Sequence, residues 1–218
     1  MFDVNIRRIE PTDQHTLWSR WLNGTPWIAL LPVQLFLAVG WARAGIEKLI
    51  DPQWRDGREL LDFLAVQRPD MLPFFVWFTD LLVPIAVTVA GVVMACQLAI
   101  AVCLVANRFV RPALWCGVVL NVLFMMAGRV NPSAFYLVMQ LALLFALSRS
   151  ISMETAKRRA VFWLMLAAFI VPFAHTLHPA LVIDDPALVL SFLAGLAAVT
   201  TLAVAADRGV EAPRPTTG

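Results

Sequence analysis

The sequence predicts an all-α fold, a polytopic bundle of six membrane-spanning helices, and three observations predict it. Of the 218 residues, 60% are hydrophobic and only 15% are charged, which is more apolar surface than one soluble core absorbs. That surface falls in blocks, several of them long enough to cross a hydrocarbon layer about 30 Å thick. The blocks are separated by short polar turns, and prolines such as Pro26, Pro84, Pro112 and Pro132 mark where the next helix starts.

Residues 1–25 are polar with an aromatic patch, Trp18, Trp21 and Leu22 at i, i+3 and i+4, which predicts a short interfacial helix with Arg7, Arg8 and Arg20 near lipid headgroups. They lack the short basic leader and compact apolar core of a signal peptide, so no cleavage is expected, although Ala42-Arg43-Ala44 mimics a cleavage site. Thr25-Pro26 opens span 1, which runs to about Glu47. An extracytoplasmic loop over 48–83 follows. Within it Trp54, Leu60, Leu61, Phe63 and Leu64 give residues 51–70 one apolar face, predicting a segment that lies on the membrane.

The apolar block 72–106 is too long for one span and too short for two. It divides into a surface segment, Leu72 to Val83, and span 2, Pro84 to Ala106. Span 3 runs from Pro112 to Gly128, and span 4 from Pro132 to Leu147, so that 26–148 forms a four-helix core. A basic linker, Arg149 to Arg159, leads to span 5, Ala160 to His175, which should kink at Pro172. Span 6 covers Ala187 to Ala206; residues 149–206 thus make an appended helical pair, and 207–218 a disordered tail.

Eleven basic residues fall on the side that holds both termini and six on the other, which predicts a plasma (inner) membrane protein with its N- and C-termini in the cytoplasm. The net charge of +2 without a long basic run argues against nucleic acid as a partner. Cys96, Cys103 and Cys116 show no CxxC, haem-attachment or metal-ligand spacing. Cys96 and Cys103, at i and i+7, read as packing.

Two clusters carry the functional reading. Gln34, Gln97, Asn121 and Gln140 fall about 12–17 Å deep in the four core spans, a midplane layer of carboxamides. Such a layer is either interhelical glue or a site for a quinone or another polar ligand. At the outer rim stand Arg43, Glu47, Lys48, Asp80, Arg129, Asn131 and Tyr136. Arg43 and Glu47, at i and i+4, make a local ion pair, whereas Lys48, Arg129 and Asn131 around an anion are the alternative. His175 and His178, with Asp184 and Asp185 nearby, are a weak metal candidate because Pro179 breaks the helix between them and the carboxylates.

Several of these residues resemble the DoxX/DoxD family of small four-helix membrane proteins. They are Gly45-Ile46-Glu47-Lys48-Leu49, Val83-Pro84, Cys96-Gln97-Leu98, Asn107-Arg108 and the run Gly128-Arg129-Val130-Asn131-Pro132-Ser133-Ala134-Phe135-Tyr136. The resemblance covers about residues 30–148, with spans 5 and 6 as an addition. It implies a membrane subunit of a redox-linked or envelope complex, related to the membrane subunit of thiosulfate:quinone oxidoreductase and to proteins of oxidative-stress defence. The expected partners are membrane lipids and other membrane or extracytoplasmic subunits, and the expected cofactor is quinone. The alternative is a quinone-linked oxidoreductase acting on a small sulfur anion such as thiosulfate. No flavin, haem or iron–sulfur motif is visible. Transport is a weaker third class, because no pair of broken spans suggests an inverted repeat.

Overall fold

The computed structural model describes residues 30–147, 152–174 and 185–210. Every regular element among them is helical. Helix α1 (Leu31–Ile50) carries Pro32 in its first turn, and it stops at Asp51, whose carboxylate accepts from Gln53 N and so starts the short α2 (Pro52–Arg55). Gly57 turns the chain into α3 (Arg58–Gln67) with φ +81°, and a Cβ there would sit 2.9 Å from the Val87 nitrogen. Only glycine meets both demands.

Helix α4 (Pro73–Leu82) and α5 (Ala86–Val105) are joined by a tight 3₁₀ turn, Val83–Ile85, because Pro84 has no N–H to continue the α ladder. The predicted division of the long apolar block falls at this turn. Helices α6 (Val110–Met126) and α7 (Ser133–Leu147) follow. Helix α8 (Met153–Ile170) starts earlier than expected: Ser152 accepts from Thr155 N, Glu154 pairs with Arg158, and the basic stretch becomes the helix's first turns rather than a linker. It breaks at Pro172, where the chain enters a 3₁₀ turn, Val171–Phe173. Asp185 accepts from Ala187 N and Leu188 N and caps α9 (Pro186–Val210), which continues past Ala206 into the stretch expected as a tail.

Helix α1 packs along α5 and α6 along α7, with α5 beside α6 and α1 touching α7, so the first four long helices close a ring. Leu37, Trp41, Ile100, Leu104, Leu114 and Leu143 fill one part of its interior. The appended pair packs chiefly on itself: α8 and α9 make the closest-packed helix pair, both bury small residues such as Ala156, Ala160 and Ala198, Ser191 Oγ donates to the Ala167 carbonyl at 3.2 Å, and α9 docks on α6 and α7. The segment 51–70 does not simply lie outside the bundle. Trp54 and Leu60 pack on Ala86 and Ala90, and Trp54 Nε1 donates to the Ala90 carbonyl at 3.0 Å, which ties α2 and α3 to α5.

Against the six spans expected from the sequence, two helical stretches among the described residues are long and apolar enough to cross a membrane, Pro73–Val105 with 33 residues and Pro186–Ala203 with 18. Helices α6 and α7 are apolar but have 17 and 15 residues, about 25 and 22 Å at 1.5 Å per residue. Arg43, Glu47 and Lys48 interrupt α1, and Lys157, Arg158 and Arg159 interrupt α8. The outward faces are apolar nonetheless, with Val39, Val102, Val119, Met165, Phe192 and Val199 all exposed. The N-terminal interfacial helix, residues 148–151, His175, His178, Asp184 and residues 211–218 lie outside the described residues.

Candidate functional site

Two of the four predicted amides bond to each other, a third lines the same cleft as one of them, and the fourth stands elsewhere. Asn121 Nδ2 on α6 donates to Gln140 Oε1 on α7 at 2.9 Å, and both side chains are buried. Gly117, one turn before Asn121, makes this possible: a Cβ at that position would collide with Gln140 Nε2 and lie 3.3 Å from the Trp41 ring. Gln97 on α5 is 2% exposed and lines the same space as Asn121. Gln34 is the correction. It stands in the first turn of α1, where Nε2 donates to the Leu104 carbonyl at 2.9 Å and to Asn107 Oδ1 at 3.2 Å, fastening α1 to the far end of α5. These partners at the end of α5, not the other three amides, are what Gln34 meets.

The outer cluster also divides. Glu47, Lys48, Arg129 and Tyr136 line one cleft of about 520 Å³ that reaches Gln97 and Asn121, so part of the rim and part of the amide layer belong to a single site. Arg43, Asp80 and Asn131 do not line it. Arg43 is held by Glu47 at 2.7 Å on the exposed face of α1. Asp80 forms a two-pronged pair with Arg68 at 2.6 and 3.1 Å, which clamps α4 to the turn after α3. Asn131 is exposed.

The walls of the cleft come from α1 (Gly40, Trp41, Ala44), from the α2–α3 segment (Trp54, Glu59, Leu60, Phe63), and from the start of α7 (Ser133, Tyr136). Gly40 lets Tyr136 lie across α1, since a Cβ there would collide with the Tyr136 hydroxyl. Tyr136 and Trp41 stack with centroids 6.0 Å apart and planes at 28°. Lys48 Nζ sits 4.7 Å from the Trp54 ring centre and donates to the Ala44 carbonyl at 3.4 Å, so its charge is held over an aromatic face at the mouth. Glu47, Asp51 and Glu59 stand beside Lys48 and Arg129 there, three carboxylates with two cations.

Two of the lining residues each carry a buried polar atom that lacks a partner. Trp41 Nε1, a donor, and Gln97 Oε1, an acceptor, are both buried and have no hydrogen-bond partner. A buried polar group left unpaired costs about 1–3 kcal/mol, and native proteins keep few of them. Both residues line the cleft beside aromatic rings, so a flat ligand that reached these atoms would have to offer one acceptor and one donor. Gln140 Nε2 is the third unpaired atom, behind the Asn121 pair.

Sequence reasoning passed over Trp41, Trp54's role in the cleft, Glu59, Ser133 and the two glycines. A readable signal existed for some of them. Trp41, Ala44 and Lys48 lie three and four residues apart on one face of α1, and Gly117 precedes Asn121 by one turn, clearing space beside an amide. The three cysteines are free; Cys96 contacts Cys116 on the neighbouring helix, a pairing the i, i+7 reading with Cys103 did not contain. Among the described residues no three His, Cys, Asp or Glu side chains gather as a metal site. No protein-family model, curated protein or solved structure matches this chain.

Proposed function

We propose that the chain is an integral membrane subunit of a redox-linked complex and that its cleft holds the head group of a quinone. The observation that carries this reading is the buried, unpartnered pair of Trp41 Nε1 and Gln97 Oε1 in one aromatic-lined cleft. A quinone carbonyl accepts from Trp41 Nε1, and a quinol hydroxyl also donates to Gln97 Oε1, so the quinol form satisfies the whole pair. The bulk of the apolar helix exteriors, together with carboxamides turned inward, supports the membrane part of the reading. In this reading all six helices cross the bilayer with both termini cytoplasmic, and the cleft opens to the outside. The likeness to the DoxX/DoxD family agrees with it and remains part of the proposal.

The test is retention of decyl-ubiquinone and decyl-ubiquinol by purified protein in mild detergent. Wild type should retain both; Trp41→Phe should lower retention of both forms, and Gln97→Leu that of the quinol, by about five- to tenfold, the loss of roughly one hydrogen bond. Equal retention by all three proteins would remove the reading. Topology is checked separately, in a background without native cysteines, by labelling Gln53→Cys from outside and Thr155→Cys from inside.

A second reading rests on Lys48 and Arg129 at the cleft mouth. There the chain oxidises a small sulfur anion: two thiosulfate ions couple to tetrathionate, and their two electrons with two protons reduce quinone to quinol. Glu47, Asp51 and Glu59 at the same mouth weigh against an anion, so the first reading is preferred. Thiosulfate-dependent quinone reduction by the purified protein would reverse that preference.

A further inference from the structure

At the opposite end of the bundle from the cleft, a second cavity of about 680 Å³ opens where α8 meets α6 and α7. Its rim is basic: Arg111 begins α6, and Arg158 and Arg159 lie in the second turn of α8. Arg158 is engaged by Glu154 at 3.2 Å. Among the residues whose side chains are described, Arg111 and Arg159 have no carboxylate partner. Two guanidinium groups from different helices therefore face one opening.

Below the rim the lining changes in a fixed order. Trp115 and Trp163 come next, each four residues along from its arginine and hence on the same helix face. Beyond them an almost wholly apolar slot of about 260 Å³ continues between the core and the appended pair. It shares Leu141 and Trp163 with the upper cavity and runs past Val118, Val122 and Leu166. From Arg111 to Met126 the groove follows α6 for about 22 Å. Cation, indole, then aliphatic wall is the order in which an anionic phospholipid presents phosphate, glycerol backbone and acyl chain.

We infer that this groove binds one anionic phospholipid, its phosphate between Arg111 and Arg159 and an acyl chain along α6 and α8, seated between the four-helix core and the α8–α9 pair. The site is distinct from the quinone cleft and rests only on the membrane part of the proposed function. A free phosphate would use the arginines but leave the apolar slot empty, and the slot's continuity with the rim is why a lipid is chosen.

The experiment is native mass spectrometry of the purified full chain with dioleoyl-phosphatidylglycerol or dioleoyl-phosphatidylcholine, with and without excess inorganic phosphate. Wild type should hold phosphatidylglycerol in preference to phosphatidylcholine, and inorganic phosphate should not displace it. Arg111→Gln/Arg159→Gln should reduce the phosphatidylglycerol adduct about tenfold, and Arg111→Lys/Arg159→Lys should restore most of it, which separates lost charge from lost folding. Equal retention of the two lipids by wild type, an unaffected Gln variant, or displacement by phosphate would each overturn the site. Resistance of the protein to alkaline extraction from membranes is measured in parallel: a chain that is extracted refutes the membrane reading itself, and one that resists while showing no lipid preference refutes this site alone.

Discussion

The two ends of the bundle solve opposite problems. At the Lys48 end, polar atoms are taken inside: Gln97, Asn121 and Gln140 are buried among four helices, and two of the three unpartnered atoms belong to residues that line an open cleft. At the Arg111 end the interior is apolar and the charge stays at the rim, where the arginines are exposed. The first arrangement depends on geometry, because an amide in a low-dielectric setting must find its partner within a few tenths of an ångström. The second depends on charge and length, and tolerates looser packing. Substitutions at the two ends should therefore fail differently.

The largest effect is expected at Gly117. In Gly117→Ala the new methyl group meets Gln140 Nε2 and the Trp41 ring, so the Asn121–Gln140 pair must shift. Overpacking of this kind costs about 1–3 kcal/mol. Thermal unfolding in detergent should show the loss together with weaker quinone retention, while phosphatidylglycerol retention at the other end stays at the wild-type level. A loss of both ligands in proportion would mean that the two ends are not independent.

A smaller and more discriminating effect separates two amides of the same cleft. Asn121→Leu leaves Gln140 Oε1 without its donor and should cost about 1–2 kcal/mol. Gln97→Leu removes an acceptor that already lacks a partner, so stability should be unchanged or slightly higher even as quinol retention falls. Chemical unfolding of the two variants in parallel measures the contrast. Equal destabilisation would mean that the amides act together as interhelical glue, as in the packing account.

The smallest effect lies outside both sites. The Arg58 side chain, with help from its backbone N–H, holds the Asp56 carboxyl below the usual carboxylate range at the start of α3. Because the folded value is the lower one, the stabilisation is complete above about pH 4 and fades as pH falls through the folded value. Asp56→Asn should lower stability slightly at neutral pH and leave it unchanged in acid, so that the acid limb flattens, with quinone and lipid retention untouched. An identical acid limb in the variant would show that the pair contributes nothing.

Several features were legible because they depend on neighbours along the chain. Pro84 and Pro172 lack an amide hydrogen, and both interrupt helices where the sequence says they should. Asp51 and Asp185 cap the helices that follow them, each preceding a proline in the first turn. Ser152 was equally local but was overlooked, because the basic residues after it read as a linker when their i, i+4 partner Glu154 was already present. Depth was less legible. Counting Gln34 inward from Pro26 placed it with the other amides, although its partners are Leu104 and Asn107.

By itself, the sequence determined the all-helical character, the breaks between helices, and the presence of carboxamides and rim charges in an apolar chain, since periodicity, proline and capping act over a few residues. Tertiary structure decided which of those groups share a site. Asp80 went to Arg68, twelve residues away in sequence but outside the cleft, and Gln34 to the end of α5. Trp41 became a functional candidate only when α5, α6 and α7 enclosed its indole without giving it an acceptor. A hydrogen bond is won or lost over less than an ångström, and that precision comes from how four helices pack, a property no window along the chain contains.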